Sequence, residues 1–188
     1  MARPLRTATV AAGETYHVIA RGNAKMTVFH DADDYAAYLD LLGIYARICK
    51  VDIFHYCLMP NHFHLLLRPT EANLPAFMHA VQLRYARRYN KKYKRVGHVW
   101  QGRYKSESVQ TDAYLFACGN YIEMNPVRAH LVARPEDWKY SSYRHYAYGE
   151  RDDLVTTDPF YPSIATTVED RQRIYRETVA RTRASANS

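Results

Sequence analysis

From Tyr16 to Arg21 apolar and polar residues alternate, the period of two expected of a strand with one buried face. Gly22-Asn23 breaks that run. Asp31 is placed to cap a helix from Ala32 to about Cys49, with Asp33 and Asp34 in the first turn and an apolar face of Tyr35, Tyr38, Leu39, Leu42 and Tyr45. Asp52 to Met59 and His62 to Arg68 read as strands joined through Pro60-Asn61, a hairpin. Leu74 to about Tyr93 has helical spacing and ends before Gly97. Val99 to Val109 is expected to hold a fourth strand with its flanking loop. Thr111 or Asp112 caps a third helix from Ala113 to about Asn125, which Pro126 is expected to stop.

The order is strand, helix, strand, strand, helix, strand, helix. It predicts an α+β chain: a ferredoxin-like split βαβ with an antiparallel sheet, related in architecture to RNA-recognition modules and carrying one added helix. Residues 10–131 form this unit. Residues 132–188 form a C-terminal extension with Trp138, Ser141-Ser142, a tyrosine-rich segment, a short helix around Val168 to Thr182 and a frayed end from Ala184.

Charge sharpens the picture. The chain nets +7, yet from Ala72 to Ser106 there is no Asp or Glu, and nine cations: Arg84, Arg87, Arg88, Lys91, Lys92, Lys94, Arg95, Arg103 and Lys105. Nine exceeds seven, so the basicity is one local patch and the remainder is slightly acidic. That is the footprint of a polyanionic partner. Aromatics interleave with it (Phe77, Tyr85, Tyr89, Tyr93, Trp100, Tyr104), as expected if some stack on unpaired bases. No run reaches the roughly 18 to 20 apolar residues of a membrane span. The basic start, Met1 to Arg6, has no apolar segment behind it and is not read as a secretory signal. Cys49, Cys57 and Cys118 are odd in number with no CxxC spacing, which fits a reduced, cytoplasmic setting.

Two short motifs carry candidate chemistry. In His62-Phe63-His64 the imidazoles leave one strand face together, and Phe63, Leu65 and Leu67 leave the other. Two such histidines can occupy adjacent positions on a metal. Tyr121 and Asn125 are four apart, one above the other on a helix, and can serve as nucleophile and third ligand. Taken singly, each pair is better read as structural: one exposed and one satisfied histidine, a tyrosine at the core edge, an asparagine at a helix end. Together with the basic surface they suit phosphodiester chemistry, in which a metal polarises the phosphate and a tyrosine keeps the bond energy in a covalent intermediate.

Four stretches, in order over roughly residues 10 to 145, resemble the REP-associated tyrosine transposases, relatives of the smallest single-tyrosine insertion-sequence transposases of the HUH kind. They are Tyr16 to Ile19 with Arg21-Gly22-Asn23, Tyr56 to Leu67, Gly97 to Lys105, and Tyr121 to Ala129. The resemblance implies that His62 and His64, with Asn125, bind Mg²⁺ or Mn²⁺, although imidazole ligands alone equally suit Zn²⁺. It implies that Tyr121 forms a 5′-phosphotyrosine link and frees a 3′-OH. It also implies a hairpin-forming single-stranded DNA partner, a nucleoid-associated location, and action as a monomer or homodimer. Arg84, Arg87, Arg88, Lys91, Lys92, Arg95, Trp100, Arg103 and Lys105 are the expected DNA contacts.

Tyr114, about two helical turns before Tyr121, is the second candidate nucleophile. Glu123 points away from Tyr121 and is read as solvated or salt-bridged. Gly119 costs its helix about 1 kcal/mol relative to Ala and serves either movement or close packing. Two other functions compete. A non-catalytic single-strand binder of RNA-recognition fold explains the patch but leaves His62, His64 and Asn125 idle. A zinc hydrolase uses the histidines but not Tyr121.

Overall fold

The computed structural model describes residues 10–186, with side chains as far as Arg181. The basic start, Met1 to Arg6, and the last two residues lie outside the described residues. Four strands, β1 (Thr15–Arg21), β2 (Val51–Met59), β3 (His62–Pro69) and β4 (Lys105–Val109), form one antiparallel sheet in the order β2-β3-β1-β4. Helices α1 (Ala32–Ile48) and α2 (Leu74–Lys92) follow β1 and β3 and cover one face. Helix α3 (Asp112–Glu123) crosses the other face, against β2 and β3. This is the expected ferredoxin-like arrangement with one added helix.

Alternation along the strands decides what each face holds. Tyr16, Val18 and Ala20 of β1 join Phe63, Leu65 and Leu67 of β3 in the core beneath α1 and α2. The intervening positions, His17, Ile19 and Arg21, pair in register with Leu66, His64 and His62 and share the α3 face with them. The Asp31 carboxylate caps α1 by accepting from Asp34 N at 3.1 Å. Thr111 caps α3 by accepting from Tyr114 N at 3.3 Å. Gly22, between β1 and the hairpin, admits no side chain: a Cβ there would lie 2.3 Å from the Met26 carbonyl oxygen.

Three expectations need correction, and the place of the fourth strand within Val99 to Val109 is narrowed. The fourth strand begins at Lys105, because Val99 and Trp100 are apolar anchors of a loop, with Trp100 bridging Gly22. Trp100 is not a surface stacking platform. It is buried, packs on Tyr38, Phe63 and Tyr85, and donates Nε1–H to the Gln82 carbonyl at 3.2 Å. The tyrosine stripe of α2 likewise turns inward: Tyr85 and Tyr89 are buried and donate to the carbonyls of Val28 and Thr27. Lys92 is engaged by the start of α1, 2.8 Å from both Asp31 carboxylate oxygens and 2.7 Å from Asp34 Oδ1. Two carboxylates gathered at a helix N-terminus attract the cation more directly than a distant phosphate would.

The extension is more structured than its sequence suggested. It contains α5 (Tyr143–Tyr148) and α6 (Val168–Ala186), the latter longer than the expected short helix and continuing through Ala184. It also completes the exposed edge of β2. Leu58 N donates to Tyr140 O at 2.9 Å, Ser142 N to Tyr56 O at 3.1 Å, and Thr156 N to Ile53 O at 2.8 Å. An edge strand otherwise open to pairing with other chains is thereby satisfied.

The burial of Trp100 makes a prediction. Trp100→Ala will destabilise the fold by about 3 to 5 kcal/mol, as large-to-small aromatic core substitutions do. Urea unfolding measures it. A variant of parental stability that has lost only nucleic-acid affinity would return Trp100 to the surface role its sequence context suggested.

Candidate active site

The α3 face of the sheet gathers three histidines. His64 Nδ1 lies 2.9 Å from His17 Nε2, and the two rings stack at 5.2 Å between centroids. His62 is edge-on to His64 at 5.1 Å, and its Nδ1 lies 2.7 Å from the Asn61 side-chain oxygen. Burial, and then the charge of Arg21 in register beside it, lower the His62 pKa to about 4. Burial, followed by the neighbouring His62, His17 and Arg21, lowers that of His64 to about 3. Burial lowers His17 too, against the partial opposition of Glu107. All three imidazoles are therefore neutral near pH 7.

Tyr121 reaches this cluster from α3. Its ring meets His64 edge-on at 6.0 Å and His17 at 6.2 Å, and the Arg128 guanidinium lies over it at 4.9 Å. The residue is 38% exposed, so the phenol is open to a ligand. Tyr114 is more exposed and makes no ring contact with these histidines among the described residues.

Asn125 sits differently from the single-helix expectation. Helix α3 ends at Glu123, and Asn125 opens a short helix, α4 (Asn125–Arg128), in which Pro126 occupies the first turn. Proline is tolerated there because first-turn N–H groups have no intrahelical partner. Without an N–H on Pro126, the Ile122 carbonyl loses its usual donor. The Asn125 amide replaces it, donating to Ile122 O at 3.1 Å and Tyr121 O at 3.0 Å. The side-chain oxygen is the atom left to act as a ligand.

The donor set suits a divalent metal. With Nδ1 of His62 and of His64 engaged, Nε2 of each is the nitrogen left for coordination, and depressed pKa values keep it unprotonated. No group of three or more His, Cys, Asp or Glu placed to hold a metal ion occurs among the described residues, so His62 and His64 would need a further ligand of another kind, such as an amide, water or a phosphate oxygen.

The basic residues divide into two groups. Lys105 pairs with Ile19, so it shares the histidine face, as does Arg21. Arg84, Arg87, Arg88 and Lys91 are exposed on α2, across the sheet. Helix α2 passes Trp100 at Gln82, however, and its basic C-terminal end lies against the segment joining β1 to α1, with Lys92 on Asp31 and the following Arg95 3.2 Å from Met26 Sδ; Val28 of that segment bonds the Pro60 carbonyl, at the His62 end of the sheet. Arg95 and Arg103 are exposed on the loop that follows.

Sequence reasoning missed His17, Arg21 and Arg128 as members of this face. Parity along β1 puts His17 and Arg21 on the less apolar side, but only the β1–β3 pairing brings them to His64 and His62. It also missed the depth of Glu123. That side chain is not solvated: it is fully buried, salt-bridged to His55 Nδ1 at 2.9 Å, and accepts from Ser142 Oγ at 2.5 Å and Tyr175 OH at 2.6 Å. His55 Nε2 lies 3.2 Å from Asp158 Oδ2. Gly119 serves close packing, since a Cβ there would lie 2.7 Å from the His55 ring.

Comparison with known proteins places this geometry in a family. Residues 11–125, more than half of the chain, match the family described as transposase, IS200 like. The chain belongs to the IS200-like transposase family. The solved structure of a REP-associated tyrosine transposase bound to a REP hairpin superposes with a TM-score of 0.64 at 16% identity, covering 84% of this chain and 93% of that one. At that identity the likeness is one of fold. A Deinococcus radiodurans R1 protein described as a transposase aligns at 20% identity over 73% of this chain and 98% of its own, with a TM-score of 0.44, too low to carry argument. No curated protein matches the sequence. Among the described residues no helix is long and apolar enough to cross a membrane.

The buried His55 gives a pH prediction. Burial by itself would lower its pKa, but the hydrogen bonds its N–H groups donate to the Asp158 and Glu123 carboxylates outweigh that and raise it to about 9. An unfolded histidine titrates near 6.5. The stabilisation is therefore fully present below about pH 6.5 and is lost as pH rises through about 9, a change of a few kcal/mol at most. Urea unfolding of the parent and His55→Gln from pH 6 to 10 will show a stability difference that shrinks with pH. A difference independent of pH would mean that His55 is neutral in the fold.

Proposed function

We propose that this transposase binds hairpin-forming single-stranded DNA and cleaves and rejoins it through a 5′-phosphotyrosine intermediate on Tyr121. One observation carries the reading: the exposed Tyr121 phenol ring lies against His64 and His17 on the sheet face that also presents His62. A single-strand binder has no use for that convergence, and a hydrolase has no use for the tyrosine.

The chain's own groups divide the work. His62 and His64, with the Asn125 side-chain oxygen completing the set, are the residues that would hold Mg²⁺ or Mn²⁺. Bound there, the ion supplies Lewis-acid polarisation of the scissile phosphate. His17 and Asn61 orient the two imidazoles through Nδ1. The Tyr121 oxygen attacks phosphorus, losing its proton. The P–O3′ bond breaks, the 3′-oxygen leaves and is protonated, and the 5′-phosphate stays on the tyrosine. Attack by another 3′-OH reverses these bond changes, restores the phenol and joins the strands, so no nucleotide cofactor is consumed. Arg21, Arg128 and Lys105 ring the site with positive charge for the phosphate. The exposed cations of α2 and the following loop continue this surface around the His62 end of the sheet. They fit a strand that wraps that end, and the hairpin bound by the structurally similar REP-associated enzyme supports such a partner.

Denaturing electrophoresis after incubation with a hairpin oligonucleotide and Mn²⁺ tests the reaction. The parent will form a covalent adduct, and chelation by EDTA will abolish it. Tyr121→Phe will bind but form none, and adduct formation by that variant would transfer the role to Tyr114. Calorimetry will show Mn²⁺ affinity lost when His62 and His64 are both replaced by Ala, and unchanged affinity would refute the ligand assignment.

The DNA path is tested by salt. Each phosphate contact on a single strand contributes about −0.7 to the slope of log K against log salt. Replacing Arg84, Arg88 and Lys91 by Ala will flatten that slope by about 2 while leaving sequence preference nearly intact. An unchanged slope would show that the strand avoids the outer face of α2.

A further inference from the structure

Glu123 lies two residues beyond Tyr121, about 200° around the helix, so the phenol and the carboxylate leave α3 on opposite sides. The Glu123 carboxylate is fully buried. Leaving an ionised group there unpaired would cost several kcal/mol. It is instead surrounded by donors from two distant parts of the chain. His55 comes from β2, while Ser142 and Tyr175 come from the C-terminal extension. A second buried carboxylate, Asp158, also from the extension, holds the far nitrogen of the same imidazole and accepts from Phe160 N at 2.7 Å. The His55 ring is sandwiched further: Tyr146 stacks on it at 4.3 Å, and the open slot at Gly119 lets α3 settle directly upon it.

Leu115, Cys118 and Ile122 pack on Cys57, Met59 and Leu66, an apolar contact between α3 and the sheet. Such packing is non-directional and leaves the helix able to slide or roll. Charge-assisted hydrogen bonds are directional and fix both motions. Cleavage depends on where α3 sits, since Tyr121 is on the helix whereas His62 and His64 are on the strand.

We propose that Glu123, held by His55, Ser142 and Tyr175 and backed by Asp158, is a positioning residue that sets the reach of Tyr121 onto the His62–His64 pair, and that residues 132–186 act on cleavage through this buried contact. The proposal rests on the reading of Tyr121 as nucleophile. It gives the extension a role in the chemistry although, among the described residues, its side chains make no hydrogen bond or ring contact with Tyr121, His17, His62 or His64.

Glu123→Gln tests it, keeping side-chain size while removing the charge. The variant will unfold cooperatively above the assay temperature and bind the hairpin within about two-fold of the parent, while its single-turnover rate of adduct formation falls about 10- to 100-fold, the scale of a misplaced reacting group. A structural readout accompanies the rate. Nuclear Overhauser contacts between the Tyr121 ring and the His17 and His64 rings will weaken in the folded variant. A folded Glu123→Gln protein with a parental adduct rate, with its whole loss in hairpin affinity, or with those contacts intact overturns the proposal. Should Glu123→Gln fail to fold, Tyr175→Phe, which removes one donor and no charge, is judged by the same outcomes with a smaller loss expected. If Tyr121→Phe still forms an adduct, the nucleophile reading fails by itself. The ring contacts then decide the positioning claim alone, weakened contacts supporting it and intact ones overturning it.

Discussion

Strand parity governs this molecule more than any single contact. Side chains leave a strand alternately, so β3 sends Phe63, Leu65 and Leu67 into the aromatic core and His62, His64 and Leu66 to the opposite face. A one-residue slip against β1 would drive two imidazoles into that core and expose three large apolar groups. The register that buries the core is thus the register that brings Ile19 and Arg21 opposite His64 and His62, and sets His17 where its ring reaches His64. The hairpin at Pro60-Asn61 and the close approach at Gly22 hold that register at the end of the sheet where the histidines lie.

The same sheet face sustains two opposite electrostatic regimes. His64 and His62 are desolvated beside other imidazoles and Arg21, so they stay neutral and their lone pairs remain available. His55, on β2, is more deeply buried than His62 yet lies between two carboxylates, and its pKa moves the other way. Burial alone predicts a lowered histidine pKa in every case; the partner decides the outcome. One end of the face is suited to coordinating a cation and the other already contains one.

Periodicity made the elements legible. The helical spacing of α1 and α2, the alternation in β1 and the hairpin motif each follow from local sequence, and the order of elements carried the fold. The candidate site was legible as two motifs, His62-Phe63-His64 and the segment around Tyr121, because parity and helical spacing are local properties. What local sequence does not contain is the destination of a face. The tyrosines of α2 have the spacing of a stripe, but whether a stripe meets solvent or core depends on what covers it, and here Tyr38, Phe29 and Trp100 do. Val99 and Trp100 look like strand residues because loop anchors need the same apolar chemistry. Glu123 was the hardest to read. Its partners, His55, Ser142 and Tyr175, lie 68, 19 and 52 residues away, and a glutamate on a helix is ordinarily solvated.

The two halves of the candidate site are held by different kinds of force, and this difference bears on how the molecule can vary. His62 and His64 belong to a ladder whose hydrogen bonds and side-chain parity leave little freedom. Tyr121 belongs to a twelve-residue helix resting on a small apolar patch and pinned at its end by a charge cluster. Changes in the core beneath α1 and α2 reach the histidines only by disturbing the sheet as a whole. Changes in the extension need only shift Ser142, Asp158 or Tyr175 to alter the seat of α3, because all three converge on one helix turn through Glu123 and His55. On the positioning proposal the extension acts on Tyr121 through this contact, because a buried carboxylate that loses a donor is left unsatisfied at its full desolvation cost.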